Sequence, residues 1–167
     1  MFPTEFIVRL IAASIAGGAL GLERESSRKS AGLRTNIIVS VGASIYVMIS
    51  AILMENSTTG DPSRVMGQVV TGIGFLGAGV IMTRGANVKG LTTAATIWCS
   101  AALGWLAGFG LFWELSASTV LIILVNTGLR KVDVWFVKKQ IKSEVSEKNK
   151  EEDTLEHNKR EDISKNN

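Results

Sequence analysis

Apolar residues run through this chain for lengths that exceed any strand and are interrupted by short polar segments. Five such runs occupy residues 6–22, 36–54, 65–82, 91–109 and 115–129, and Leu111, Phe112 and Trp113 extend the last one back to 111. A hydrocarbon core of about 30 Å takes about 20 apolar residues as a helix, so each run predicts a membrane-spanning segment. The chain is therefore predicted to be all-α and polytopic, with five transmembrane helices at about 6–22, 36–54, 65–82, 91–109 and 111–129. Trp113 and Trp135 would anchor the two ends of the fifth helix at the membrane–water interfaces.

The polar segments between the runs alternate in charge. Arg24, Arg28, Lys29 and Arg34 follow the first run, and the acidic stretch ENSTTGDPSR follows the second. Arg84 and Lys89 follow the third, nothing basic follows the fourth, and Arg130, Lys131, Lys138 and Lys139 follow the fifth. Excess Lys and Arg mark cytoplasmic loops, which predicts an outer N-terminus and a cytoplasmic C-terminus. The leader MFPTE is acidic where a secretory signal is basic, so the first run reads as a span.

Composition sharpens this division. The chain of 167 residues is 46% hydrophobic, with a net charge of +3 and a mean hydropathy of +0.25. From Lys138 onward there are eight basic and eight acidic side chains and few apolar ones. Residues 137–167 are thus predicted as a charged cytoplasmic tail that cannot bury a core, behind a transmembrane domain at 1–136. The basic residues form short clusters without a continuous stripe, which argues against nucleic acid as a partner. Cys99 is the only cysteine and His157 the only histidine. That inventory excludes a thiolate metal cluster and Ser-His-Asp catalysis within the spans, and no base is available to activate Thr92 or Thr93.

The third run holds GIGFLGAG, a G-x-G-x-x-G pattern. A dinucleotide site would need a preceding strand and a carboxylate about 20 residues on, yet no Asp or Glu lies between Asp61 and Glu114. In a membrane helix such glycines permit close backbone approach. Gly72 and Gly79 share one side, Gly74 and Gly77 another, which predicts a central third helix with neighbours on both sides. Gly17 and Gly21, with Ala13, make a similar row on the first helix. Gly104 and Gly108 continue a row of Thr92, Thr96 and Ser100 on the fourth, and Asn36, Ser40 and Ser44 make a polar row on the second. Such rows read as tight packing with interhelical hydrogen bonds, or else as a polar path across the membrane.

Two groups of charges remain. Arg9 lies inside the first run with Glu5 one turn before it, an arrangement that predicts an ion pair near the outer surface. Glu23, Arg24 and Glu25 close the first helix. Two carboxylates can hold a hydrated Mg2+, making Glu23 and Glu25 the candidate metal ligands, although the neighbouring arginines favour an Arg–carboxylate network.

Four motifs follow in order: Glu23-Arg24-Glu25, then Ala31-Gly32-Leu33-Arg34-Thr35, then GIGFLGAGVI, then Val88 to Trp98 in VKGLTTAATIW. Over residues 6–129 this resembles the MgtC/SapB family of bacterial inner-membrane proteins. The resemblance implies a multi-pass plasma-membrane protein linked to growth in low magnesium and, in intracellular pathogens, to survival inside macrophages. It also implies restraint of ATP synthase through its membrane sector. The glycine-rich packing surface and the lack of catalytic groups predict a non-enzymatic regulator that acts through protein–protein contacts in the membrane, with another membrane protein or with itself as a homo-oligomer. A magnesium or other ion transporter or channel is the alternative. The residues carried over as a cytoplasmic-loop signature are Glu23, Arg24, Glu25, Arg34, Thr35, Asn36, Arg84, Lys89, Thr92 and Thr93. Longer members carry an ACT-like domain after the membrane part, which the polar tail here is not expected to form.

Overall fold

The structure, a computed structural model, describes residues 3–55, 62–84 and 87–129. The charged tail expected at 137–167, with Trp135, lies outside the described residues.

Five helices follow the five apolar runs. They are α1 (Pro3–Ser26), α2 (Leu33–Glu55), α3 (Pro62–Val80), α4 (Leu91–Phe109) and α5 (Phe112–Leu129). α1, α2, α4 and α5 are long and apolar enough to cross a membrane, while the apolar part of α3, Arg64–Val80, is shorter. The polypeptide divides into two compact units after Leu124, and of the second unit only helical residues 125–129 are described.

Within the first unit the usual order of a soluble protein is reversed. Ile7, Ile11, Ile15, Ile38 and Leu121 point outward, and Asn36, Ser40, Ser44 and Ser100 are fully enclosed. Lipid tails provide no hydrophobic drive for helices to associate, so buried contacts rely on small residues and interhelical hydrogen bonds. The chain follows that rule: the core of α1, α4 and α5 contains Ala13, Ala16 and Ala107 beside Leu20, Leu103 and Leu115.

α1, α2 and α4 pack on one another, and glycines set their separation. A Cβ at Gly17 would lie 2.6 Å from the Asn36 carbonyl oxygen, and one at Gly21 would lie 2.6 Å from Leu33 Cα. Gly104 and Gly108 of α4 meet the carbonyls of Ser40 and Ser44 on successive turns of α2. α2 is thus held between two glycine-bearing helices.

The third helix corrects the expectation of a central position. α3 lies against α4 and, less closely, α2. Among the described residues, nothing beyond the helix's own backbone and chain neighbours lies within 4 Å of where a Cβ at Gly72, Gly74 or Gly79 would sit, and Gly77 makes only an ordinary contact with Ala94 at 3.6 Å. A pocket of about 520 Å³ opens between α2 and α3, lined by Ile38, Gly42, Tyr46, Gln68 and Gly72 among others. α3 also stops at Val80, before the expected 82. Met82–Arg84 and Asn87–Lys89 form an antiparallel pair of short strands, β1 and β2, with Thr83 opposite Val88. Gly90 follows at φ 95°, with its α carbon pressed so close to the Val80 carbonyl that only a residue without a side chain fits.

Candidate functional site

The sequence motifs meet where α1 ends and α2 and α4 begin. α1 closes with Lys29 N–H donating to the Arg24 carbonyl and Arg28 N–H to that of Glu25, each at 3.0 Å. This is a Schellman closure in which Arg28, at φ 52°, takes the left-handed position that glycine usually fills. Ala31, at φ 57°, turns the chain again so that α2 starts at Leu33. Two left-handed residues in four positions fold the loop back over the end of α1.

Arg24 sits beneath that loop and is 2% exposed. Its Nη2 donates to the Ser30 carbonyl at 2.9 Å and to Thr93 Oγ1, in the first turn of α4, at 2.6 Å. The Ser30 and Thr93 hydroxyls are 3.2 Å apart. One guanidinium therefore ties α1, the loop and α4 together. Its Nε is enclosed without a hydrogen-bond partner.

Asn36 continues the network one layer deeper. Its Nδ2 donates to the carbonyls of Ala31 at 2.6 Å and Gly32 at 2.8 Å, the latter also accepting the Asn36 backbone N–H at 3.2 Å. Its Oδ1 accepts from Ser100 Oγ at 2.6 Å, joining α2 to α4. Below it, the Ser40 and Ser44 hydroxyls are buried without partners. Ser100→Ala is expected to lower stability by about 1 kcal/mol, since interhelical hydrogen bonds in membranes contribute about 0.6–1.7 kcal/mol and Asn36 Oδ1 would lose its donor. Thermal unfolding in micelles, followed by circular dichroism, checks this.

The two candidate metal ligands have separate local roles. Glu25 Oε2 accepts the Leu33 N–H at 3.1 Å, capping the first turn of α2, and Glu23 Oε1 accepts from Ser27 Oγ at 3.1 Å. Among the described residues no three His, Cys, Asp or Glu side chains gather as a metal-binding group. Arg34, Thr35, Lys89 and Thr92 are exposed. Arg84 belongs to β1, and its side chain lies outside the described set. The structure thus brings Arg24, Asn36 and Thr93 together from the sequence signature and adds Ser30 and Ser100. Ser100 belongs to the α4 row of small residues. Ser30 is a lone loop serine with no distinguishing spacing.

A family model described as the MgtC family matches residues 10–135. The chain belongs to the MgtC family. Its similarity to curated relatives is of the same extent: it is 47% identical over 131 residues to Protein MgtC of Salmonella typhimurium, covering 78% of this chain and 54% of that one. Against Protein MgtC of Brucella abortus it is 50% identical over 121 residues, covering 72% and 50%. An uncharacterized protein of Synechocystis is 44% identical over 131 residues, covering 78% and 55%. This MgtC-family chain spans about half the length of these relatives. No solved structure matches it. Membership agrees with the apolar helices in making it a membrane protein, and it places the Arg24–Thr93–Asn36 cluster within the matched region.

Proposed function

We propose that this MgtC-family chain is a non-enzymatic regulator in a bacterial plasma membrane that acts by docking α3 against another membrane protein during adaptation to low magnesium. The N-terminus is outside and the C-terminus cytoplasmic in this reading. The partner implied by the family resemblance is the membrane sector of ATP synthase, with a second copy of the chain as the further contact.

The observation that carries the reading is the unfilled face of α3. Gly72 and Gly79 share a side of α3 with open space before it among the described residues, and Phe75 between them is 81% exposed. Glycine in a helix interior weakens it by roughly 0.5–1 kcal/mol relative to alanine, and among the described residues this face gains no close contact in return. A partner helix approaching the glycines would supply that contact.

Transport is favoured by a different observation, the buried Asn36, Ser40 and Ser44 row with two unpartnered hydroxyls. Against it stand the backbone contacts at Gly17 and Gly104, which leave no width for a hydrated ion where that row faces α1 and α4. A photo-crosslinking residue at position 72 or 79 is expected to capture a membrane partner in cells. Gly72→Leu with Gly79→Leu should abolish capture by the unmodified remainder of α3 without lowering the unfolding midpoint. Proteoliposomes should show no magnesium flux above empty vesicles. Saturable flux that disappears in Glu23→Gln/Glu25→Gln would replace the regulator with a transporter.

A further inference from the structure

At the end of the bundle opposite Arg24, α1 begins, α4 ends and α5 starts. A pocket of about 280 Å³ opens there, lined by Thr4, Glu5, Val8, Arg9, Phe109 and Phe112. The spacing of Glu5 and Arg9 on α1 is that of a helical ion pair, but they do not pair. Arg9 Nη1 donates instead to the Gly108 carbonyl at 2.7 Å. The rest of the guanidinium lies along Gly110, where an added Cβ would come 3.3 Å from Nη2 and 3.4 Å from Nε.

The reason is the end of α4. Gly110, at φ 78°, closes that helix with its N–H on the Ala107 carbonyl, and Leu111 N–H reaches the Leu106 carbonyl. The Gly108 carbonyl stays without a backbone donor, and a cation is favoured at the negative end of the helix. Arg9 meets both needs with one N–H. Among the described residues its other N–H groups have no acceptor and Glu5 has no donor. The pocket therefore holds one cation with donors to spare beside one carboxylate with acceptors to spare.

Its surroundings fix its depth. Trp113, at the start of α5, is 81% exposed and Phe109 and Phe112 are each 43% exposed, and a tryptophan at a helix end marks the membrane–water interface. We infer that this pocket binds a zwitterionic phospholipid headgroup of the ethanolamine type. The phosphate lies on the Arg9 guanidinium, whose planar fork suits phosphate oxygens. The primary ammonium lies on the Glu5 carboxylate, to which it can donate, and the glycerol end and first methylenes rest on Phe109, Phe112 and Val8. A trimethylated choline has no N–H to give Glu5. A glycerol headgroup brings no cation at all and sets the lipid's negative charge near the carboxylate.

The test counts lipids bound to the delipidated 167-residue chain by native mass spectrometry. Phosphatidylethanolamine, phosphatidylcholine and phosphatidylglycerol with identical acyl chains are titrated in turn. The ethanolamine lipid is expected to be retained several-fold better than either of the others. Glu5→Gln should erase its advantage over the choline lipid and leave the binding common to both. Glu5 is exposed and receives no hydrogen bond, so the variant should unfold at the unaltered midpoint without lipid. Equal retention of ethanolamine and choline lipids by the unaltered protein overturns the assignment, as does a preference that survives Glu5→Gln. If the variant's midpoint falls, the three-lipid comparison on the unaltered protein decides.

Discussion

Replacing Gly104 with alanine is expected to lower the stability of the membrane bundle by about 2–3 kcal/mol, at the upper end of what overpacking costs in a well-packed core. The added methyl would overlap the Ser40 carbonyl oxygen and come 2.9 Å from Ala43 Cβ. A flexible side chain could turn aside, but the nearest atom belongs to the backbone of α2. That helix cannot retreat either, because Gly17 of α1 already presses on the Asn36 carbonyl from another side. Relief would require α2 and α4 to separate, stretching the Ser100–Asn36 hydrogen bond and lifting Gly108 from Ser44. Gly72→Ala and Gly79→Ala provide the comparison, since the same methyl there meets open space. Those changes are expected to be neutral or to stabilise by up to about 1 kcal/mol through helix propensity. Unfolding midpoints in micelles distinguish the two sites, and equal losses at Gly104 and Gly72 would defeat the packing account.

That contrast also locates the limit of what the sequence makes legible. The helices are readable because a bilayer sets the length of an apolar run, and α4 occupies the 91–109 expected from its run. Gly72 and Gly104 look alike in one dimension. Each is a small residue in an apolar helix, and only the third dimension shows that one meets a carbonyl and the other meets nothing. The end of α3 was hidden for a related reason: Ile81 and Met82 continue the apolar run, but the backbone leaves the helix at Val80 to form the β1–β2 pair. At the candidate site, motif order gave the participants Arg24, Asn36 and Thr93 without their contacts. Arg24 and Thr93 are 69 positions apart, and a buried guanidinium–hydroxyl bond leaves no periodic trace. Glu5 and Arg9 show a local rule overridden. Their spacing favours a pair, but a helix-terminal carbonyl 99 positions away competes for the same guanidinium and wins.

Arg24→Met should cost about 3 kcal/mol, more than the loss of any single hydroxyl in the bundle. The guanidinium serves two acceptors on different parts of the fold, the part-buried Ser30 carbonyl and the buried Thr93 Oγ1; leaving a buried polar group unsatisfied costs about 1–3 kcal/mol, and a lost hydrogen bond to a charged group about 1.5–3 kcal/mol. Methionine fills much of the same volume, so the loss reports the polar contacts and not a cavity. Lysine does not substitute: its ammonium is a single point on a flexible stem, while the arginine fork is planar and pre-organised. Thr93→Val alone should cost about 1–2 kcal/mol, because Arg24 then loses one acceptor but keeps Ser30. The double variant separates the hydrogen bond from its surroundings. With Arg24→Met already in place, Thr93→Val removes a hydroxyl that has lost its donor, so its additional cost should be smaller than its cost in the unaltered protein. A coupling between about 0.5 and 3 kcal/mol is expected for residues in direct contact. Faster proteolysis of the loop at residues 27–32 should accompany the single Arg24 change, because that loop is tied down through the Ser30 carbonyl. Strict additivity with an unchanged cleavage rate would mean that the Arg24–Thr93–Ser30 contacts do not hold the motifs together.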